Sequence, residues 1–157
     1  MEVVMNRKAF TMVELIAIIT IIGVILIFAL PNVTSTIERN KKDVMINDAK
    51  DFLDKTKIYI FAHQKNKDKC SNASYKNSNK GECRCIKDNV CLLSVVDPRE
   101  EIKNSPFGKK YDRTGENSFV NPSTGKITLK EENGGYKIVG RTIENLNSDH
   151  KYEYVTK

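Results

Sequence analysis

The chain has 157 residues, of which 39% are hydrophobic and 29% charged, and its formal net charge is +6. This length favours one modest domain plus an accessory segment. No GxGxxG, P-loop, HExxH or GxSxG motif occurs in the sequence, which excludes the common signatures of nucleotide-binding, metalloprotease and serine-hydrolase sites. The positive excess lies beyond residue 33, where it favours a soluble surface and permits weak binding to polyanions.

The first predicted element is an apolar helix between Phe10 and Leu30, in which nearly every residue is apolar. The exceptions are Thr11, Glu14, Thr20 and Gly23. As a helix this segment spans about 31 Å, which matches the hydrocarbon core of a bilayer. A cleaved secretory signal would have a shorter apolar region of about 7–15 residues and a small-x-small cleavage site, which residues 28–31 do not provide. We therefore predict a helix that spans the membrane.

A carboxylate inside this segment, that of Glu14, needs an explanation. At the centre of a bilayer such a group costs about 2.5–3.5 kcal/mol, and nearer one end it costs less. Ionisable residues in spanning helices are retained for a function by default, and that function requires a partner. A plain membrane anchor would leave Glu14 unexplained.

Residues 7–15, with the sequence RKAFTMVEL, surround that carboxylate. They resemble the type IV prepilin signature, in which a basic leader ends in Gly or, less often, Ala. In that family cleavage follows immediately, the new first residue is usually Phe, and Glu stands four residues later. The match here is Ala9 before the cleaved bond, Phe10 after it and Glu14 at the same offset.

The resemblance implies a single-pass precursor in the cell membrane that a prepilin peptidase cuts after Ala9. Family members usually carry N-methylation on the first mature residue, here Phe10. The mature chain would then join other pilin subunits, in a homo- or hetero-filament at the cell surface, through an assembly platform.

The orientation in the membrane also comes from the resemblance. It implies that the leader, residues 1–9 with Arg7 and Lys8, stays cytoplasmic and that the head is extracytoplasmic. Counting basic residues alone would favour the opposite topology, because three of them follow the apolar helix. These are Arg39, Lys41 and Lys42.

The implied class is a structural subunit of a type IV pilus or pseudopilus, a substrate of an enzyme and not an enzyme itself. A competence (DNA-uptake) pilin and a type II secretion-type pseudopilin are alternatives, since all share the first helix. A simple membrane-anchored surface protein is a more remote alternative. We predict no catalytic, metal-binding or cofactor-binding residue. The basic head permits nucleic-acid binding, but no basic stripe interleaved with aromatic residues supports it.

Cleavage gives Glu14 a chemical partner. Cutting the Ala9–Phe10 bond creates an α-amino group on Phe10 that is mostly cationic at neutral pH. In a filament with a dry core of stacked helices, Glu14 of one subunit could pair with the Phe10 amino group of its neighbour, which would set the axial register. A pairing within one chain is the alternative, because the two residues are four apart on one helix face.

The second half of the helix, residues 32–63, is predicted to be amphipathic and to pack on a sheet. Its apolar positions are Ile37, Val44, Met45, Ala49, Phe52, Leu53, Ile60 and either Tyr59 or His63. Pro31, near the end of the apolar half where pilins often carry a proline, is expected to kink or locally melt the helix.

Residues 64–157 are predicted to form the head. Residues 64–82 indicate a loop, residues 90–96 a strand or helical turn, and residues 104–108 a turn. Strands are predicted at residues 125–129 and 136–140, joined by a hairpin turn at residues 132–135 whose glycines adopt positive φ. Edge strands are expected at residues 118–120 and 152–155. The result is an α+β, pilin-like fold, with a long N-terminal helix on a small antiparallel sheet.

The head contains Cys70, Cys83, Cys85 and Cys91, all outside the apolar segment. Disulfides are favoured outside the cytoplasm, with a zinc site or free thiols as alternatives. A Cys83–Cys85 bond would be strained. Two connectivities remain, Cys85–Cys91 with Cys70–Cys83 and Cys83–Cys91 with Cys70–Cys85, of which the second is slightly preferred.

Overall fold

The computed structural model describes residues 11–63, 83, 85, 90–114 and 117–157. The predicted leader and the predicted loop at residues 64–82 lie outside these described residues. The chain divides into two compact units, Met1–Glu38 and Arg39–Lys157.

Helix α1 runs from Met12 to His63 and contains 52 residues. Helical hydrogen bonding continues through Pro31, so the predicted local melting is wrong for the described backbone. A proline removes one helical hydrogen bond and its ring crowds the carbonyl four residues earlier, but the hydrogen bonds of the neighbouring turns continue α1 past it. A kink of the helix axis at Pro31 stays a prediction.

The head half of α1 is amphipathic as predicted, although the buried stripe differs in detail. Met45, Ala49, Phe52 and Leu53 are all buried in the core. Ile46 and Thr56 also lie in the buried face, and the Thr56 hydroxyl donates to the Phe52 carbonyl oxygen at 2.8 Å. Ile37 and Val44 were assigned to this stripe and are instead exposed. A helical period of 3.6 residues leaves two neighbouring stripes nearly indistinguishable in sequence, and only the position of the sheet separates them.

The sheet has four antiparallel strands in the order β1-β2-β3-β4. Their bounds are Cys91–Leu92 for β1, Phe119–Asn121 for β2, Lys126–Lys130 for β3 and Lys137–Arg141 for β4. The predicted strands at residues 125–129 and 136–140 are therefore confirmed within one residue. Strand β2 was expected at an edge, but β1 pairs with it and occupies the edge. Together with α1 the sheet makes the fold α+β.

One hydrophobic core joins the sheet to α1. Val120, Ile127, Leu129 and Ile138 are completely buried and belong to the same cluster as Phe52. Burying an aliphatic side chain of this size contributes about 1.5–3 kcal/mol. The amphipathic stripe of α1 and the inner face of the sheet therefore stabilise each other.

The hairpin between β3 and β4 forms where the glycines predicted it. Asn133 and Gly134 adopt φ of 56° and 67°, but Gly135 has a different reason to be glycine. The carboxylate of Glu131 lies over it and accepts from the Tyr136 N–H at 2.6 Å. A Cβ on Gly135 would come within 1.9 Å of that carboxylate, so only glycine fits there.

The C-terminal segment is helical where a strand was predicted. Short helix α2, Leu93–Val96, follows β1, and α3, Ile143–Asn147, follows β4. A 3₁₀ helix then covers Lys151–Tyr154, so the edge strand expected at residues 152–155 is wrong. Alternating aromatic residues at positions 152 and 154 resemble a strand in sequence, but their rings pack beside cations on neighbouring elements.

A buried carboxylate, Asp97, anchors the loop between α2 and β2. Its Oδ2 accepts from Arg113 at 2.9 Å and from the Ile102 N–H at 2.9 Å, and its Oδ1 lies 3.3 Å from Lys55 on α1. Burial alone would raise the pKa of Asp97, but the hydrogen bonds from the Ile102 N–H, Arg113 and Lys55 outweigh it and hold that pKa below its ordinary value. The folded head therefore favours ionised Asp97.

We predict that Asp97→Asn destabilises the head by about 3–5 kcal/mol, because it leaves the Arg113 charge without its buried partner. Since the pKa of Asp97 is depressed on folding, its contribution is present at neutral pH and is lost as the pH falls below about 4. Urea denaturation of the full chain in detergent micelles, followed by the near-ultraviolet circular dichroism of tyrosine, measures both effects.

Asp54→Asn is the matched control, because Asp54 is 66% exposed and its ion pair in the described part of the chain is with Lys57, three residues away on α1. It should cost less than about 1 kcal/mol. Equal losses from the two variants would contradict the anchoring role of Asp97.

Candidate functional site

The apolar half of α1 exposes its side chains on every face. The 18 residues Met12–Ala29 are strongly hydrophobic and none of them is buried, so α1 is long and apolar enough to cross a membrane. Ile27 and Phe28 are 70% and 72% exposed, although each would gain about 1.5–3 kcal/mol from burial in an apolar environment. The exposed apolar side chains of this helix half are therefore compatible with a membrane span by length and composition.

Glu14 lies in the first turn of this half and forms a helix cap with Thr11. Its Oε2 accepts from the Thr11 N–H at 2.8 Å and from the Thr11 hydroxyl at 2.9 Å. In return, the Glu14 N–H donates to the Thr11 hydroxyl oxygen at 3.3 Å. This reciprocal arrangement is a capping box, which satisfies backbone donors that a helix start leaves unpaired.

Thr11 is thus a site residue, the hydrogen-bond partner of Glu14, which the sequence patterns were not used to predict. The signal was present, because Thr-x-x-Glu before an apolar run is the sequence pattern of a capping box. The other polar side chain of the segment, Thr20, donates its hydroxyl to the Ile16 carbonyl oxygen. Both threonines are therefore compatible with an apolar environment, because local backbone groups or Glu14 satisfy them.

The remaining residues of the predicted processing site lie outside the described residues. These are Arg7, Lys8, Ala9 and Phe10. Their roles in the leader, at the cleaved bond and in N-methylation stay predictions. The first helical residue described is Met12, two positions after the expected new N-terminus.

The three cysteines among the described residues are disulfide-bonded, and one pairing corrects the preferred connectivity. Cys85 bonds to Cys91 at the start of β1, and Cys83 is also disulfide-bonded. The preferred Cys83–Cys91 bond is therefore wrong, while Cys70 lies outside the described residues. Cys85 and Cys91 are buried in the core cluster, so the bond ties Cys85 to the first strand of the sheet. Sequence spacing could not choose between the pairings, because both close short loops.

Neither histidine forms part of a metal cluster in the described part of the chain, which contains no suitable group of His, Cys, Asp and Glu residues. His63 stacks on Tyr59 with ring centroids 4.1 Å apart. His150 is exposed and lies 3.2 Å from Glu153. His63 therefore lies on the amphipathic half of α1, as the sequence predicted.

No protein-family model matches the chain, and no curated protein or solved structure matches it either.

We predict that peptide mapping without reduction will recover Cys85 linked to Cys91. Trypsin cleaves after Arg84, Lys87 and Arg99, so it separates all these cysteines and gives each its own peptide. Mass spectrometry should find the peptide of residues 85–87 joined to that of residues 88–99. A cross-link from residues 81–84 to residues 88–99 would instead establish the Cys83–Cys91 pairing and contradict the structure.

Proposed function

We propose that the chain is a type IV pilin-like prepilin, a structural subunit of a pilus or pseudopilus that is processed and then assembled through its N-terminal helix. The observation that carries the proposal is a carboxylate, Glu14, in the first turn of an otherwise exposed apolar helix. A membrane anchor could use Glu14 as a helix cap, but that role needs only its oxygen atoms and not its charge. A filament subunit needs both.

The proposal accounts for the two halves of α1. In a single subunit lipid would surround the apolar half, and in a filament the apolar helices of neighbouring subunits would replace the lipid. The second half carries the head, because its buried stripe belongs to the core that includes the sheet. One element thus links the assembling segment to the displayed domain.

The contacts of Glu14 support a role in assembly. Among the described residues, the hydrogen-bond donors to Glu14 both belong to Thr11 and both are neutral, so they reduce the cost of the carboxylate without neutralising its charge. A cationic amino group on Phe10, created by cleavage after Ala9, would neutralise it. Breaking a buried ion pair typically costs about 3–5 kcal/mol, which is enough to select one axial register over its neighbours.

The partners follow from this role. The enzyme that acts on the chain is a prepilin peptidase, and the chain itself is not an enzyme. The mature subunit joins other pilin subunits on an assembly platform, with its head outside the membrane. Competence pilins and type II secretion-type pseudopilins belong to the same proposed class.

We predict that the chain isolated from its native membranes begins at Phe10, with or without one added methyl group. Intact mass and N-terminal sequencing measure this directly. Ala9→Asp places a charge beside the cleaved bond and should leave a longer precursor that does not assemble. A chain that retains Met1, or one cut after Ala29, would contradict the proposal and indicate an ordinary anchored or secreted protein.

We predict that both Glu14→Ala and Glu14→Gln are inserted and cleaved but fail to assemble. Glutamine retains an oxygen that can accept from Thr11, so this variant preserves the capping box while removing the charge. Electron microscopy of sheared surface filaments and immunoblots of the membrane fraction separate assembly from insertion.

Thr20→Ala is the matched control, because it removes a polar group of the same apolar half whose hydroxyl, among the described residues, donates to the Ile16 carbonyl oxygen of its own helix. It should form filaments normally. If Glu14→Gln also formed normal filaments while Glu14→Ala did not, capping would be the required interaction and the charge pairing would be wrong.

A further inference from the structure

Cations and aromatic rings surround the start of the head half of α1. We call this surface the basal collar, and it consists of Arg39, Lys41, Lys109, Lys151, Phe107, Tyr136 and Tyr152. It joins α1, the turn at residues 104–108, the β3–β4 hairpin and the 3₁₀ helix, which are distant in sequence. All of its residues lie within the unit Arg39–Lys157.

On one side of α1 the collar is built around Tyr152. The guanidinium of Arg39 lies 5.1 Å from the centroid of the Tyr152 ring, and Lys151 lies 4.9 Å from it. Asp43 holds the side chains of Tyr152 and Lys151 in place. It accepts from the Tyr152 hydroxyl at 2.8 Å and pairs with the Lys151 ammonium at 2.7 Å. The bond from Lys151 is the main reason that the pKa of Asp43 is below its ordinary value.

On the other side of α1 the basal collar is built around Phe107. Lys41 lies 6.0 Å from the centroid of the Phe107 ring, which stacks on Tyr136 at 3.7 Å. Lys109 donates to the Asn133 carbonyl oxygen at 3.2 Å, which holds this lysine beside the hairpin. Both sides therefore present an aromatic ring with a cation next to it.

The charge of the collar is positive. Its acidic neighbours are Asp43, which pairs with Lys151, and Glu131, which is buried and accepts from the Tyr136 N–H. Glu132 and, in the preceding turn of α1, Glu38 are the other carboxylates nearby in the chain. These four carboxylates equal the four collar cations in number, but Glu131 is buried and Asp43 is already paired with Lys151. Arg39, Lys41 and Lys109 therefore supply the positive side chains that an anionic partner would meet.

We infer that the basal collar binds the anionic phosphate headgroups of the lipid bilayer that holds the apolar half of α1. This inference rests on the membrane insertion included in the proposed function. A hydrocarbon core of about 30 Å takes up about 20 helical residues, so a span that begins at Met12 reaches to about residue 31. The headgroup region extends about 5–7 Å further, and Arg39 follows residue 31 by eight positions, so chain connectivity alone keeps it near the lipid phosphates.

The chemistry of the collar favours lipid over nucleic acid. Rings with a polar end and neighbouring Lys or Arg side chains are typical of membrane interfaces. Binding of single-stranded nucleic acid would need open aromatic faces for stacking bases. Here Phe107 and Tyr136 cover each other, and Arg39 lies over Tyr152.

The test measures lysine reactivity in the full precursor, reconstituted into vesicles of phosphatidylcholine alone or of phosphatidylcholine mixed with phosphatidylglycerol. A membrane-impermeant acylating reagent labels exposed lysines, and mass spectrometry compares Lys109 in the collar with Lys126, an exposed lysine at the other end of β3. We expect anionic vesicles to lower the labelling of Lys109 relative to Lys126 by about threefold or more, since each cation near such a surface gains about 1 kcal/mol. High salt should abolish this difference.

Two variants locate the effect. Arg39→Gln/Lys41→Gln should remove most of the protection of Lys109, whereas Lys50→Gln/Lys57→Gln, with the same charge change further along α1, should retain it. Equal labelling of Lys109 in both kinds of vesicle would overturn the inference. So would equal protection in neutral vesicles by added single-stranded DNA, which would make the collar a general polyanion surface.

The measurement also separates this inference from the proposed function. It uses the uncleaved precursor, so neither cleavage after Ala9 nor filament assembly enters the result. A chain that floats with the vesicles but shows no lipid-dependent protection overturns the collar alone. A chain that does not float with either kind of vesicle contradicts membrane insertion itself, and with it both proposals.

Discussion

Helix α1 has apolar side chains on every face in its first half and on one face only in its second half, and the structure depends on this difference. A helix that is apolar all round needs lipid or other helices as its surroundings. A helix with one apolar stripe can bury it against a sheet, and Phe52 and its neighbours do so completely. The head is therefore built on the half of α1 that buries one face against the sheet and leaves the other face in water.

Polar anchors supplement the hydrophobic core along the head half of α1. Asp43 holds the 3₁₀ helix, Asp48 accepts from the buried Tyr111 hydroxyl at 2.7 Å, and Lys55 reaches Asp97. Burial raises the pKa of Asp48 despite the hydrogen bond from Tyr111. These carboxylates fix which turn of α1 faces which loop, because a buried polar group without its partner is costly. The apolar stripe alone would tolerate a shift along the helix more easily.

The two explanations of Glu14 are compatible. The capping box with Thr11 uses hydrogen bonds from neutral donors and explains how an isolated subunit could tolerate the carboxylate near a membrane surface. The proposed pairing with a cleaved Phe10 amino group uses the charge, which the cap leaves in place. A group that is tolerable alone and better satisfied by a neighbour favours association without preventing insertion. The basal collar would act at the same stage, while the subunit is still held in lipid.

The sequence by itself determined the elements whose physics is local. The apolar length of α1, the position of Glu14 in it, and strands β3 and β4 with the Gly134 turn all depend on short-range patterns of hydrophobicity and backbone preference. The capping partner Thr11 was equally readable, because its signal is only four residues long. Non-local contacts decided the rest. The sheet placed Ile46 and not Val44 in the core, and three-dimensional proximity selected the Cys85–Cys91 bond. Cations on α1 and β4 pack beside the rings of Tyr152 and Tyr154. This segment forms a 3₁₀ helix, although its sequence alone predicted a strand. The basal collar likewise exists only in the folded head, because its cations and rings come from segments that no sequence period connects.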